Sequence, residues 1–216
     1  MNDTVSEKTR GWTRRKDARP GEILDAALEV FAEKGFAATR MEDIATRAGV
    51  TKGTIYLYYP GKEELFKSLA RETIGKALAI ATLNMASFAE TPRQSLIRAL
   101  TTITEFLNDR RREALPKIII AESGNFPELA TFWRQEVVDK AFTLLCGIYD
   151  RGVEMGQFRP LPREDVVRLC VSPILLSIIW RTTFNDTFDS TRFLETHLDT
   201  LYHGLLTPEA CHAPQQ

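Results

Sequence analysis

The sequence predicts an all-α protein with a small N-terminal domain and a larger C-terminal domain. Its apolar residues recur three and four positions apart, which is the helical period, and they rarely alternate as they do in strands. Proline and glycine interrupt this pattern at intervals of helical length. Of the 216 residues, 44% are hydrophobic and 26% are charged, which is typical of a soluble globular chain that buries its own core.

The first helix is predicted to begin at Pro20, which suits a first helical turn, and to end at Gly35. Two short helices follow it. Thr39 and Glu42 have the spacing of a capping box that opens the first of them, which Gly49 ends. Thr51 caps the next one, after the tight turn Ala48-Gly49-Val50-Thr51. Two short helices with such a turn, covered by a preceding helix, are typical of a helix-turn-helix.

The remaining helices are marked by prolines and glycines. A long helix over 62–88 links the two domains, and further helices are predicted from Thr91-Pro92, over 127–152, near 163–184 and near 190–206. The expected division is an arm over 1–18, a helix-turn-helix domain over 19–77, a C-terminal domain over 78–207 and a tail over 208–216.

The overall charge of −1 hides a mild asymmetry along the chain. Residues 1–77 hold 14 Lys and Arg against 12 Asp and Glu, and the remainder holds 14 against 17. Between Lys8 and Arg19, six basic residues face a single acid, Asp17. We therefore expect a basic, flexible N-terminal arm that reaches DNA phosphates or a minor groove. A solvated terminus without a partner is the alternative.

Targeting and redox features point to the cytoplasm. No apolar run approaches the roughly 18 residues that span a bilayer, and the first ten residues lack the apolar centre of a signal peptide. Cys146, Cys170 and Cys211 are odd in number and widely spaced, so we expect reduced thiols. These features predict a cytoplasmic protein with no membrane contact.

The second short helix presents a surface suited to DNA. Ile55 and Tyr59 are the residues that it needs on its inner side. Its outward side mixes one cation, a hydroxyl, phenols and a glycine, where an ordinary solvated helix would carry more charge. The outward residues are Lys52, Gly53, Thr54, Tyr56 and Tyr58.

The stretch from Arg19 to Lys76 also carries a characteristic set of residues in a fixed order. The set consists of Phe31, Gly35-Phe36, Thr39, Ile44-Ala45, Ala48-Gly49-Val50, Gly53, Tyr56, Tyr59, Lys62 and Leu65. With them, the sequence GEILDAALEVFAEKGFAATRMEDIATRAGVTKGTIYLYYPGKEELF resembles the TetR family of bacterial regulators. Family members commonly have Phe at the position of Tyr59 and a polar residue or His at that of Leu57, so we expect a different base preference at Leu57.

The resemblance implies that the helix-turn-helix docks in the major groove of double-stranded DNA. The residues implied to contact DNA are Thr39, Arg40, Thr51, Lys52, Gly53, Thr54, Tyr56, Leu57, Tyr58 and Lys62. For Tyr58 the alternative is packing against the first helix, and for Arg40 it is a solvated charge. Because one recognition helix reads only a few base pairs, we expect a homodimer on a roughly palindromic site, with half-sites about 34–36 Å apart.

The same resemblance assigns two roles to the C-terminal domain. In that family the last two long helices pair with their counterparts in a four-helix dimer interface. The residues of this chain implied to lie in that interface are Val167, Ile174, Ile178, Leu194, Leu198, Leu201 and Leu205. A small apolar or aromatic effector is expected among Phe88, Phe106, Trp133, Phe142, Cys146, Tyr149, Trp180 and Phe184. Packing within one chain is the alternative in both cases.

The sequence therefore predicts a ligand-responsive transcriptional regulator, with repression as the family's usual mode. Effector binding would favour a spacing of the recognition helices that no longer fits the groove, and the 62–88 helix would couple the two sites. Nucleotide-binding, hydrolase and zinc-protease motifs are missing, and His197 and His203 do not share a helix face, so we expect no enzyme, cofactor or metal site. A helix-turn-helix protein that shapes DNA without sensing a small molecule is the alternative.

Overall fold

The computed structural model describes residues 6–76, 78–79, 82, 90–109, 111–184 and 189–206, with the backbone alone for residues 6–19 and 182. Within these ranges the protein is helical, which confirms the predicted fold class, and an isolated antiparallel bridge pairs Phe158 with Leu206. The α-helices are α1 (Ser6–Ala38), α2 (Met41–Arg47), α3 (Lys52–Tyr58), α4 (Lys62–Ala70), α5 (Pro92–Asn108), α6 (Ala114–Glu122), α7 (Pro127–Trp133), α8 (Asp139–Glu154), α9 (Arg163–Thr183) and α10 (Ser190–Leu205). Two π-helical segments, Arg71–Gly75 and Arg134–Val138, continue α4 and join α7 to α8.

Helix α1 corrects the predicted start of the first helix. It begins at Ser6 and passes through Pro20, so the predicted arm is helical from Ser6 onward. Proline keeps a helical φ, and an interior proline often kinks a helix without ending it, so Pro20 need not mark the start. The predicted end is confirmed, since Gly35 has φ of 74° and only one further turn follows.

The start of α2 differs by one residue from the prediction. Arg40, not Thr39, is the N-cap, and the Arg40 backbone N–H donates to Asp43 Oδ2 at 3.1 Å. The predicted Thr39–Glu42 capping box is therefore wrong; the Thr39 hydroxyl instead donates to the Gly35 carbonyl at 2.6 Å. Residues 40 and 43 have the same spacing as residues 39 and 42, so the sequence allows a capping box at either pair. Because Thr39 is buried, the helix is capped at Arg40.

The side chains form two cores that do not coincide with the predicted domains. The first core joins α1–α4 and also takes Leu115 and Ile118 from α6 and Leu129 from α7. The second core joins α5, α8, α9 and α10. Phe106 of α5 packs against both cores. Helices α6 and α7 thus follow the predicted boundary in sequence but pack with the helix-turn-helix.

The later helices agree with the sequence pattern. Thr91 caps α5 and exchanges hydrogen bonds with Gln94, whose N–H donates to the Thr91 hydroxyl at 3.3 Å. Part of the predicted 62–88 helix, including Phe88, lies outside the described residues. None of the described helices combines the length and the apolarity that crossing a membrane requires.

Candidate DNA-binding and effector sites

The turn between α2 and α3 is held by backbone hydrogen bonds. Gly49 adopts φ of 64°, which favours glycine, and the Val50 N–H donates to the Ala45 carbonyl at 2.9 Å. Thr51 caps α3 as predicted, because its hydroxyl accepts from the Thr54 N–H at 3.2 Å. Ile55 is fully buried in the first core, so α3 is fixed on α1 and α2 with its outer face turned to solvent.

The outer face of α3 is polar at its start and apolar near its end. Lys52 and Gly53 are exposed, as are Tyr56 and Leu57, with 42% and 76% of their surface accessible. Tyr58 is half-buried and packs against the first core, which is the alternative that the sequence left open.

Two residues that the sequence placed on DNA have structural roles. Thr39 is 2% exposed and bonded to Gly35. The Lys62 ammonium donates to the carbonyls of Phe36, Ala37 and Thr39, at 2.9, 3.0 and 3.4 Å. These bonds occupy its three N–H groups at the end of α1, where carbonyls lack helical partners. In the free protein both side chains thus have partners within the chain, and a direct DNA contact of either residue stays a prediction.

Most cations near α3 are already paired within the chain. The ion pairs are Lys34 with Asp43 at 3.0 Å, Arg47 with Glu33 at 2.7 Å and Glu29 at 3.0 Å, and Lys52 with Glu42 at 2.5 Å. The hydrogen bond between Lys52 and Glu42 lowers the pKa of the carboxyl group and raises that of the ammonium. Among the described side chains from residue 20 to 62, only the Arg40 guanidinium has neither an ion pair nor a carbonyl partner.

The residues predicted at the dimer interface face the second core of their own chain. Val167, Ile174 and Ile178 are at most 2% exposed and belong to the second core of their own chain. On α10, Leu194 and Leu205 are buried in the same core, and Leu198 and Leu201 pack against it. The sequence prediction selected the inward face, because α9 is apolar around most of its circumference and the pattern does not say which face is covered.

The outward face of α9 carries an apolar stripe that the sequence prediction did not assign to an interface. Leu169, Leu176, Trp180 and Phe184 are 64%, 50%, 48% and 63% exposed. Their spacings of seven, four and four residues place them along one side of the helix. The rings of Trp180 and Phe184 lie 5.1 Å apart. We call these four residues the α9 stripe.

The predicted effector-lining residues do not gather around one described cavity. Trp180 and Phe184 lie on the α9 stripe, and Trp133 packs against the first core instead of the second. Phe106 and Phe142 are half-buried against the second core. Phe88 lies outside the described residues. A pocket lined by all of these residues is thus not supported, because Trp133, Trp180 and Phe184 lie outside the second core.

The polar groups of the other two candidates serve the fold. The single O–H of Tyr149 lies within hydrogen-bonding distance of the Arg159 and Leu161 carbonyls, at 2.8 and 3.0 Å, and its oxygen accepts from the Leu161 N–H at 2.7 Å, which fixes the connection between α8 and α9. An open depression of about 500 Å³ beside Tyr149 is lined by four charged residues and by four apolar or aromatic ones. Cys146 is buried and free, and burial raises the pKa of its thiol.

Comparison with known proteins decides the family. The model of the bacterial regulatory proteins of the tetR family matches residues 23–69, and that of the tetracyclin repressor-like C-terminal domain matches residues 89–201. The chain belongs to the TetR family. YfiR, an HTH-type transcriptional regulator of Bacillus subtilis, is 30% identical to it over 154 residues, which cover 68% of this chain and 71% of YfiR.

Solved structures share the fold of this TetR-family regulator. A transcriptional regulator of Saccharomonospora viridis in complex with choline has a TM-score of 0.75 at 20% identity and covers 89% of this chain and 99% of its own. The regulator FadR of Bacillus subtilis in complex with stearoyl-CoA has a TM-score of 0.69 at 23% identity, covering 85% of this chain and 97% of its own. The protein is a ligand-responsive, DNA-binding regulator of transcription.

In this TetR-family regulator the junction of α6 and α7 touches the helix-turn-helix domain directly. Glu122 Oε1 accepts the Ala37 N–H at 3.2 Å, and the Phe126 ring meets the Phe36 ring edge to face, with centroids 4.9 Å apart. The Lys62 ammonium lies 4.7 Å above the Phe36 ring and 5.7 Å from that of Phe126. Sequence reasoning missed this contact, because Glu122 and Phe126 lie far along the chain from α1. No local pattern marks them.

Proposed function

We propose that this regulator binds a roughly palindromic operator as a homodimer and releases it when a small apolar or aromatic effector binds the C-terminal half. As a repressor it would act on chromosomal DNA in the cytoplasm. The observation that carries the DNA-binding part is the outer face of α3, where exposed Tyr56 and Leu57 stand on a helix anchored by fully buried Ile55.

The proposed DNA contacts divide into two kinds. Arg40 and Lys52 are exposed cations beside α3 and serve phosphates, which gives affinity that falls with salt. Thr54, Tyr56 and Leu57 serve base edges and thymine methyl groups, which gives sequence preference. Thr51 and Gly53 support these contacts, since Thr51 caps the helix and Gly53 leaves its first turn open to a phosphate.

The α9 stripe is the proposed centre of the dimer interface. It is a continuous apolar face on a helix whose opposite face is already buried, and such faces on a folded chain are typical of protein interfaces. A two-fold axis beside α9 would present two copies of α3 to successive major grooves, about 34–36 Å apart.

The proposed effector site lies in the second core near Phe106 and Phe142, which are half-buried among aliphatic side chains. Two structural neighbours were solved in complex with stearoyl-CoA and with choline, which supports a small-molecule effector in this chain. Effector binding would act by favouring a state of the dimer that no longer fits the operator.

Selection of bound duplexes from a random pool tests the DNA-binding part. We expect a palindromic site, and moving its half-sites apart by half a helical turn should reduce affinity toward the non-specific level, about 10³-fold weaker. Unchanged affinity would refute the two-fold arrangement.

Acyl-CoA thioesters, quaternary amines and aromatic compounds are then screened for release of the selected site. A protein that keeps its operator with every compound would favour a DNA-shaping role without sensing.

A further inference from the structure

Glu42, in the first turn of α2, forms an ion pair with the recognition helix α3. Its carboxylate lies 2.5 Å from the Lys52 ammonium at the start of α3, and both side chains are open to solvent, at 48% and 64% exposure. Lys52 also lies 5.9 Å above the ring of Tyr56, a proposed base-reading residue. The pair therefore sits on the surface that is proposed to meet DNA.

Lys52 is the cation of the recognition helix itself, at the first residue of α3. Lys34 and Arg47 are tied to acids of α1 and α2, and the N–H groups of Lys62 are filled by carbonyls. Among the described side chains near α3, Arg40 has no ion pair, and Lys52 has a carboxylate partner that is itself open to solvent. Glu42 thus strongly affects how much positive charge the surface around α3 presents to DNA.

We propose that Glu42 limits the DNA affinity of this regulator by competing with DNA phosphates for Lys52. In the free protein the carboxylate occupies the place that a phosphate oxygen would take on the ammonium. When DNA binds, either the ion pair between Lys52 and Glu42 breaks, or the Glu42 carboxylate stays paired and lies close to the negatively charged DNA backbone. Both outcomes weaken binding. The proposal rests on the proposed DNA-binding function and deepens it.

The effect is independent of base sequence, because both partners of the competition are charges. Unit charges a few ångströms apart in water interact weakly, so we expect on the order of three-fold in Kd for one copy and about ten-fold for a dimer that carries the pair twice. Such a residue keeps non-specific binding low without altering which site is preferred. It would also make operator release easier.

The test compares wild type, Glu42→Gln, Lys52→Gln and the double variant on two duplexes, the selected operator and a scrambled sequence of the same length. We expect Glu42→Gln to bind both duplexes about ten-fold more tightly at 50 mM salt, with the gain shrinking as salt rises. Lys52→Gln should bind both more weakly, and in that background Glu42→Gln should bring little gain. Exposed Glu128→Gln on α7 is the control for net charge and should change neither affinity.

Each other outcome overturns the proposal. An equal gain from Glu42→Gln with and without Lys52 would show a general repulsive charge and no competition for the ammonium. An unchanged or weaker Kd for Glu42→Gln would show that the pair does not restrain binding. A wild-type protein that selects no duplex would instead refute the proposed DNA-binding function itself. Thermal unfolding of each variant checks that the fold is intact, as expected for exposed side chains.

Discussion

Two aliphatic residues of α3 that lie close together in sequence differ in burial. Ile55 is fully buried and Leu57, two positions later, is 76% exposed, although both are aliphatic. A helical rotation of about 100° per residue places them on opposite sides. Stability and DNA preference are therefore separable within one short helix.

Replacing Leu57 with alanine tests this separation. We expect the free energy of unfolding to change by less than about 0.5 kcal/mol, because the side chain makes no core contact. Affinity for the selected operator should fall on the order of five-fold, with little change on a scrambled duplex, since an apolar contact with a thymine methyl would be lost. Fluorescence anisotropy with both duplexes measures this. Equal losses on the two duplexes would contradict a role in sequence preference.

The matched variant Ile55→Ala should behave in the opposite way. Its side chain fills the first core, so we expect a loss of about 2–5 kcal/mol of stability in denaturant unfolding. DNA binding should weaken on both duplexes alike as α3 loses its support. A stable Ile55→Ala protein would show that α3 is held by other contacts.

Gly152 of α8 offers a second residue-scale prediction. Alanine normally stabilises a helix over glycine by about 1 kcal/mol, but here an added methyl group would overlap the Phe158 ring, which is 1% exposed and has no room to move. We expect Gly152→Ala to lose about 1–3 kcal/mol in denaturant unfolding. Gly124→Ala, whose methyl group would meet no atom within 4 Å, is the control and should be close to neutral. A stabilised Gly152→Ala protein would contradict the close packing of Phe158 on α8.

At the scale of the element, α9 is covered on one side and open on the other. Its inner residues complete the second core, whereas the α9 stripe has no partner among the described side chains of its own chain beyond the contact of Trp180 with Phe184. A helix apolar all round is stable when both sides are covered. We propose that the partner subunit covers the α9 stripe.

A charge on the α9 stripe should separate the subunits. We expect Leu176→Glu to weaken the dimer by about 2–5 kcal/mol, because a carboxylate without a partner would be buried at its centre. The monomer should remain folded, since Leu176 is half exposed. Sedimentation velocity over a range of concentrations measures the change. Ile120→Glu, at an exposed position of α6, is the control, and a dimer that withstands Leu176→Glu would place the interface elsewhere.

At the scale of the whole molecule, the DNA-binding core extends beyond the domain boundary that the sequence predicts. Leu115, Ile118 and Leu129 of α6 and α7 complete the first core, and Arg181 of α9 donates to Glu113 Oε2 at 2.6 Å just before α6. Helix α6 thus lies between the helix-turn-helix and the helix that carries the proposed dimer face. This contact is a second route for coupling beside the 62–88 helix.

A fragment that ends at residue 77 should therefore be unstable. It lacks three aliphatic side chains of its core, each worth about 1.5–3 kcal/mol, and their sum approaches the whole stability of a small domain. We expect no cooperative thermal transition above 25 °C by circular dichroism, whereas the full chain melts cooperatively. Leu129→Ala in the full chain should show part of this loss. A fragment as stable as the full chain would show that α6 and α7 are dispensable for the first core.

The sequence by itself determined the helices and the helix-turn-helix. Periodicity, Gly35, Gly49, Thr51 and Thr91 act within a few residues, so their effect on helix ends is local and can be predicted. The outward position of Leu57 follows from the same period. The prediction that α1 begins at Pro20 was wrong, because proline keeps a helical φ and can lie inside a helix, so a proline alone does not locate a helix start.

Only the tertiary structure decided which face each apolar helix buries and which cations remain available. Val167 and Leu169 belong to one apolar run, yet only the packing of α5 and α8 against α9 determines that the former is covered. Lys62 and Lys52 look alike in sequence, but the carbonyl end of α1 fills the donors of one, and Glu42 partners the other. These outcomes depend on contacts between residues distant in sequence, and burial and ion pairing are decided by such contacts and not by local periodicity.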